Sequence, residues 1–254
     1  MHISVVIPTY NRLPILRKCL LALERQTLAP PLDRYEVVVV DDGSTDDTIQ
    51  WLDRHAADLP HVRLIRQEHG GPAEGRNRGV DHAHGDVIVF IDSDLVVTDS
   101  FLISHARALD SHWTRQGDRL CFTYGAVINT ANFDEPTAEP HKLSDLSWAY
   151  FATGNVGIDR AVLERAGLFD TSFRLYGWED LELGERLRRM GVVLVRCPEA
   201  ARVFAADWTD EEKATIQKWK WWSLEAMRAQ GRDAFKPENL ADLLADIIEG
   251  KPEK

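Results

Sequence analysis

Asp92, Ser93 and Asp94 interrupt an apolar run, VIVFIDSDLVV at residues 87–97. Carboxylates delivered into such a run are costly unless something pairs with them. Two acids one residue apart at a strand end suit a hard divalent cation, Mg2+ or Mn2+, that shares its shell with water and phosphate oxygens. A loop cap is the plainer use of the same residues. Three more clusters share this placement: Pro8-Thr9-Tyr10-Asn11 follows ISVVI, Asp41-Asp42-Gly43-Ser44 follows EVVVV, and QEHGGPAEGRNRG (67–79) follows VRLIR. In the second cluster one acid and Ser44 suffice to cap a helix, which leaves the other acid to accept hydrogen bonds from a nucleobase N–H and a ribose hydroxyl. In the third, the glycines at 70, 71, 75 and 79 do not form the G-x-G-x-x-G dinucleotide pattern. A glycine-rich stretch carrying Arg76 and Arg78 nevertheless suits a diphosphate. Further on, Trp178-Glu179-Asp180 sets two acids at the start of a helical pattern, where the macrodipole favours them with or without chemistry.

The elements that must position these clusters alternate. Strands are expected at 3–7, 36–40, 62–66 and 87–91, and helices at 13–26, 45–56 (capped by Ser44) and 72–83, with Pro72 at the start of the last. Apolar strands without polar alternation, separated by helices, imply a parallel sheet covered on both faces. Ligands of such sheets collect at the carboxyl ends of the strands, and all four polar clusters fall on that rim. The second half is less regular. Strands are expected at 119–128, 154–158 and 192–196, a polar loop at 130–145, and helices over 160–167, with Asp159 as N-cap and Gly167 as terminator, and over 178–191. From Thr209 the chain reads as mostly helix.

The 254 residues carry 30 Lys and Arg against 41 Asp and Glu, a net charge of −11. This argues against nucleic acid as a partner but not against a phosphate ligand, because a bound cation supplies local positive charge. Cys19, Cys121 and Cys197 are odd in number and far apart, so reduced, buried thiols in a cytoplasmic protein are expected. The N-terminus lacks the pattern of a signal peptide, and no apolar run approaches the ~18 residues of a membrane span.

VVIPTYNR, VVVVDDGSTDDT, GPAEGRNRG and FIDSD occur here in the order seen in family 2 glycosyltransferases, and TGNVGIDRAVLERAGLFDTSFRLYGWEDLELGERLRRMG (153–191) resembles the acceptor-side half of that family. Each fragment alone is weak; five in order over residues 3–205 are specific. The resemblance implies a GT-A fold: a mostly parallel α/β sheet flanked by helices, with a donor half at 1–98, an acceptor half at 99–205 and a helical extension at 206–254.

By the same resemblance, a nucleotide-diphosphate sugar, UDP-linked by expectation, lies over the first half. Pro8, Thr9, Tyr10 and Arg12 belong to its binding segment. Asp42 faces the base with Asp41 beside it, Arg76 lies by the base or diphosphate, and Gly154 and Asn155 close over the sugar. Asp92, Ser93 and Asp94 correspond to the DxD motif: Asp92 on the ribose, Asp94 on a Mn2+ or Mg2+ ion, with Asp92 as a further candidate ligand. Trp178-Glu179-Asp180 corresponds to the acceptor motif, with Asp180 the general base, Glu179 beside it, and Trp178 and Tyr176 either stacking on sugar rings or serving as core. The implied reaction is inverting transfer to a hydroxyl of a glycan or lipid-linked acceptor. One departure stands out. Many relatives place a histidine ligand after the last core strand, whereas no histidine follows His141 here, leaving Asp207, or Asp94 with water and diphosphate, for that role. A sugar nucleotidyltransferase is the alternative enzyme, but it calls for a glycine-rich loop after the first strand, where PTYNRLP stands; a non-catalytic nucleotide-sugar binder is the other alternative. The tail, with three tryptophans at 219, 221 and 222 among lysines, reads as a helix docked on the core, a peripheral contact with the inner face of the membrane, or a homodimer contact.

Overall fold

The computed structural model describes residues 1–130, 150–173 and 178–205. The expected loop at 130–145 beyond its first residue, Tyr176, Asp207 and the whole 206–254 extension lie outside them. The described residues form a single eight-stranded sheet. Its strands are β1 (His2–Thr9), β2 (Arg34–Asp41), β3 (Val62–Arg66), β4 (Val87–Ile91), β5 (Leu95–Val97), β6 (Cys121–Thr130), β7 (Asn155–Asp159) and β8 (Val193–Ala205). Their order is β3-β2-β1-β4-β7-β6-β8-β5. The first four are mutually parallel, β7 runs antiparallel to both β4 and β6, β8 is parallel to β6, and β5 closes the edge antiparallel to β8. The sheet is thus continuous across the junction expected near residue 98.

Successive side chains on a strand point to opposite faces, and here both faces are covered. Val5, Ile7, Val37, Val39, Val87 and Val89 pack with Leu16, Cys19 and Leu20 of α1 (Leu13–Leu23) and with Phe101, Leu102 and Leu109 of α4 (Phe101–Gln116). Val6, Ile88 and Phe90 pack on the other side with Val80 of α3 (Pro72–His82), Val162 and Leu163 of α5 (Arg160–Arg165), and Leu183 and Leu187 of α6 (Glu179–Arg189). Helix α3 sits tight on the sheet because Gly79 has no side chain: a Cβ there would stand 2.3 Å from Val6 Cγ1. Asp159 caps α5 as expected, its carboxylate accepting from Val162 N–H, and Gly167 and Gly191 take positive φ after α5 and α6, the left-handed turn glycine permits.

Two local expectations are corrected, and one helix is added. Ser44 caps nothing. The second helix, α2, runs only over Thr48–Arg54, because the amides of Thr45 and Asp46 donate to the Asn11 side chain and Ser44 Oγ accepts from Asn11 N–H. Helix α4, over a stretch for which no element is expected, buries two histidines, His105 and His112. Strand β8 continues far beyond 196, since it pairs with β6 and then, past a register shift in β6 between Gly125 and Val127, with both β6 and β5. The three cysteines are free and buried, and burial pushes the Cys121 thiol up to about 11. Among the described residues no helix is long and apolar enough to cross a membrane.

Candidate active site

The ends of β1 and β2 are laced together at the carboxyl rim. Asn11 adopts φ 52°, a left-handed conformation that asparagine tolerates better than most residues. From there its Oδ1 receives the amides of Thr45 at 2.7 Å and Asp46 at 3.2 Å. Thr9 and Asp41 are register partners on the two strands. Thr9 Oγ1 and Asp41 Oδ1 are buried and have no hydrogen-bond partner among the described residues. Asp41 uses its other oxygen to receive Ser44 N–H at 3.2 Å. Buried polar atoms of this kind are rare in folded proteins, and they lie where a nucleobase edge is expected.

The Asp42 carboxylate is engaged by the loop that follows β3. Its carboxylate receives Gly70 N–H at 2.8 Å, Gly71 N–H at 2.9 Å and Gln67 Nε2 at 2.7 Å, with His69 Nδ1 at 2.9 Å. It pins the glycine-rich loop to the end of β2. Above it the exposed Tyr10 ring lies 4.5 Å, centroid to centroid, from the His69 ring. Pro8 is half-buried just inside that rim.

Asp92 and Asp94 leave the end of β4 only partly covered, while Ser93 between them is buried. Arg12 Nη1, at the start of α1, stands 3.7 Å from Asp94 Oδ2, so the segments after β1 and β4 meet. Among the described residues no group of three His, Cys, Asp or Glu forms a ready metal cage. An oxygen-only pair that leaves most of the shell to water and phosphate fits a hard ion such as Mg2+ or Mn2+.

Arg76 reaches from α3 to the donor-side acid Asp92. Its guanidinium is buried. Nη1 donates to Glu179 Oε1 at 2.8 Å, Nη2 donates to Asp92 Oδ1 at 3.2 Å, and Nη1 lies 3.7 Å from Asp180 Oδ1. The face of Phe169 covers it at 5.6 Å. Its neighbour Asn77 holds that lid in place, donating to Phe169 C=O at 2.8 Å and accepting Phe169 N–H at 2.9 Å. One cation therefore joins the acid after β4 to both acids that begin α6.

The two acids of α6 are not equivalent. The Glu179 side chain is 1% exposed and faces Arg76, whereas that of Asp180 is 17% exposed. Thr153 donates twice to Asp180: its N–H to Oδ2 at 2.9 Å, and its hydroxyl at 2.9 Å from Oδ2 and 3.1 Å from Oδ1. Burial, followed by the charges of Glu179 and Asp92, raises the Asp180 carboxyl to about 6, against the opposing pull of Arg76 and the Thr153 amide. A carboxyl poised there is suited to proton transfer near neutral pH. Trp178 is half-buried at the N-cap position of α6.

Gly154 and Asn155 are both buried, and the Asn155 side chain is fully engaged. Its Nδ2 donates to Ala200 C=O at 2.9 Å and Ala126 C=O at 3.1 Å, and its Oδ1 accepts from His105 Nε2 at 3.0 Å. The two carbonyls fix the amide's orientation, which in turn requires His105 Nε2 to carry hydrogen. Thr153, Asn77 and His105 escaped sequence reasoning. Asn77 sits inside the GRNRG fragment and Thr153 opens the TGNVGIDR fragment, while His105 lies outside every fragment.

An α/β sheet with polar loops at one rim, paired acids after its fourth strand and a raised carboxyl facing them defines a GT-A type nucleotide-diphospho-sugar fold. Residues 4–163 match the model of glycosyl transferase family 2, and the chain belongs to that family. Bacillus subtilis YfnE, an uncharacterized glycosyltransferase, is 27% identical over 76% of this chain and 62% of its own length. The validoxylamine A glucosyltransferase of Streptomyces hygroscopicus subsp. jinggangensis is 32% identical over 75% of this chain and 52% of its own. The chain thus spans between about half and two-thirds of these relatives. Among solved structures, S. aureus TarS 1–349 with UDP-GlcNAc has a TM-score of 0.65 at 20% identity, covering 90% of this chain and 65% of that one. GalNAc-T7 with UDP, GalNAc and Mn2+ has a TM-score of 0.63 at 20% identity, covering 81% and 44%.

Proposed function

We propose that this chain moves a sugar from a nucleotide-diphosphate donor, UDP-linked, to a hydroxyl of a glycan or lipid-linked acceptor, with inversion at the anomeric carbon. The observation that carries this reading is the buried Arg76 contact between Asp92 and the Glu179–Asp180 pair. It draws one donor-side acid, Asp92, and a partly exposed carboxylate of raised pKa into one cluster. Relatives and neighbours support it: a glucosyltransferase by sequence, and folds solved with UDP-GlcNAc or UDP by structure.

The donor's base would lie over Pro8, Thr9 and Tyr10, where Thr9 Oγ1 and Asp41 Oδ1 have hydrogen-bonding capacity to offer. Asp42 would act through the loop it holds rather than through the base. Arg12 would sit near the diphosphate, and Asp94, with Asp92, would hold a Mn2+ or Mg2+ ion on it. When bound, such an ion stabilises the negative charge of the departing nucleotide. Asp180 would accept the acceptor hydroxyl's proton as that oxygen forms its bond to the anomeric carbon. The bond from that carbon to the diphosphate oxygen breaks in the same step, and the electron pair leaves with UDP. Glu179, paired with Arg76, would keep the cluster's charge balanced instead of taking the proton. Trp178 would flank the acceptor.

The test is UDP release from UDP-glucose and UDP-GlcNAc with Mn2+, with and without a panel of glycan acceptors. Wild type is expected to turn over at least one donor and Asp180→Asn to lose about 10²–10⁴-fold, the usual contribution of a general base. Turnover by Asp180→Asn near the wild-type rate would refute the assignment.

A further inference from the structure

Thr153 opens the TGNVGIDR fragment but has no role read from it, yet it is the residue that grips Asp180. It is buried, and two of its donors, the backbone N–H and the hydroxyl, converge on one carboxylate. Two features hold the partners in register. On one side, the segment carrying Thr153 cannot drift. Two residues on, Asn155 is bound to His105 of α4, to Ala126 C=O in β6 and to Ala200 C=O in β8. On the other side, α6 approaches that segment closely because Gly184 faces it. A Cβ at Gly184 would stand 3.0 Å from Phe151 Cβ and 3.1 Å from Phe151 N. Gly184 lies four residues after Asp180, one helical turn along the same face. The bare helix surface at 184 therefore sets how near Asp180 comes to Thr153.

We propose that Thr153 is a positioning residue for the transfer reaction: with the close approach allowed by Gly184, its two donors fix the direction in which Asp180 presents its free lone pairs to the acceptor hydroxyl. This reading rests on Asp180 being the base. A carboxylate on a partly exposed helix start has two free torsions. Two donors on one edge remove that freedom, and small errors in the placement of a reacting group are costly in rate.

The experiment compares Thr153→Val, Thr153→Ser, Gly184→Ala and Asp180→Asn with wild type in UDP release from UDP-glucose with Mn2+, water serving as acceptor. Thr153→Val keeps the side-chain volume and the amide but deletes the hydroxyl. It is expected to lower kcat by about tenfold or more, with KM for the donor changed by less than about twofold and thermal unfolding little altered. Thr153→Ser restores the hydroxyl and is expected to recover most of the rate. Gly184→Ala is expected to reproduce the kcat loss, because it lifts α6 away from the segment. A Thr153→Val enzyme with wild-type kcat, beside an inactive Asp180→Asn, overturns the positioning role while leaving the base intact. Loss in the Ser variant equal to that in Val overturns it too. Full turnover by Asp180→Asn overturns the base, and the positioning role with it. An arm independent of turnover is the crystal structure of Thr153→Val: Asp180 is expected in another rotamer or in several, and an unmoved carboxylate overturns the proposal.

Discussion

Replacing Arg76 with methionine removes a buried cation from beside three carboxylates, the buried Glu179 and the partly exposed Asp92 and Asp180, and both consequences have a magnitude. For stability, Glu179 is 1% exposed and loses the donor it meets at 2.8 Å. Removing one member of a buried ion pair ordinarily costs about 3–5 kcal/mol, because the remaining charge must be neutralised or exposed. For ionisation, the guanidinium stands 3.7 Å from Asp180. At an effective dielectric constant of ~20 that separation corresponds to roughly 4 kcal/mol, and solvent at the partly exposed Asp180 trims it. Measured shifts caused by an adjacent opposite charge run about 1–3 pKa units. Asp180 already sits at about 6, and its active form is the anion. Losing Arg76 favours the protonated form, so the limb on which kcat/KM falls as pH drops should move upward by about 1–3 units. The assays are urea unfolding of wild type, Arg76→Met, Glu179→Gln and the double variant at neutral pH, and a pH–rate profile with UDP-glucose and Mn2+. The double variant is expected to be more stable than the sum of the single losses implies. A loss under about 1 kcal/mol, well short of that for a broken buried pair, with an unmoved acid limb would refute the hub role of Arg76.

Three further outcomes are expected. Burial lowers the pKa of His105 to about 4, from the ordinary imidazole value of 6.5, so its contribution to stability is complete above about 6.5 and is lost as pH falls toward 4. The difference amounts to about 3 kcal/mol at ~1.4 kcal/mol per unit, and His105→Gln should flatten that part of the stability–pH curve measured by chemical denaturation. Gly79→Ala puts a methyl group 2.3 Å from Val6 Cγ1 and should destabilise by about 1–3 kcal/mol, read as a lower denaturation midpoint with an unchanged slope. Mn2+ should strengthen UDP binding to wild type and not to Asp94→Asn, measured by calorimetry; equal enhancement in both would remove Asp94 from the ion's shell.

Several features were legible in the chain itself because they are local. EVVVV and VIVFI have no polar alternation, and a strand of that kind survives only with both faces covered. A strand's polar continuation then has to emerge at the rim, which sets Asp92 and Asp94 on the same edge as Thr9 and Asp41. Asp159, Gly167 and Gly191 announced their caps because capping involves only near neighbours in the sequence. The order of the motifs carried the family, since five weak fragments in sequence constrain a fold more than any one of them.

What the sequence could not decide was which hydrogen-bond donor each acid meets. Asp41 and Asp42 are adjacent and chemically alike, yet one keeps a buried oxygen with no hydrogen-bond partner among the described residues and the other is consumed by the amides of Gly70 and Gly71. Arg76 looked like a rim arginine, and it is the helix packing of α3 against the sheet that turns it inward toward Glu179, 103 residues away. Thr153 and Asp180 are 27 residues apart, and no periodicity links them. Composition and spacing determined where oxygen atoms gather, because strand direction carries them there; the tertiary structure decided which of them stay available, because hydrogen bonds between distant segments form only once the two faces of the sheet are packed.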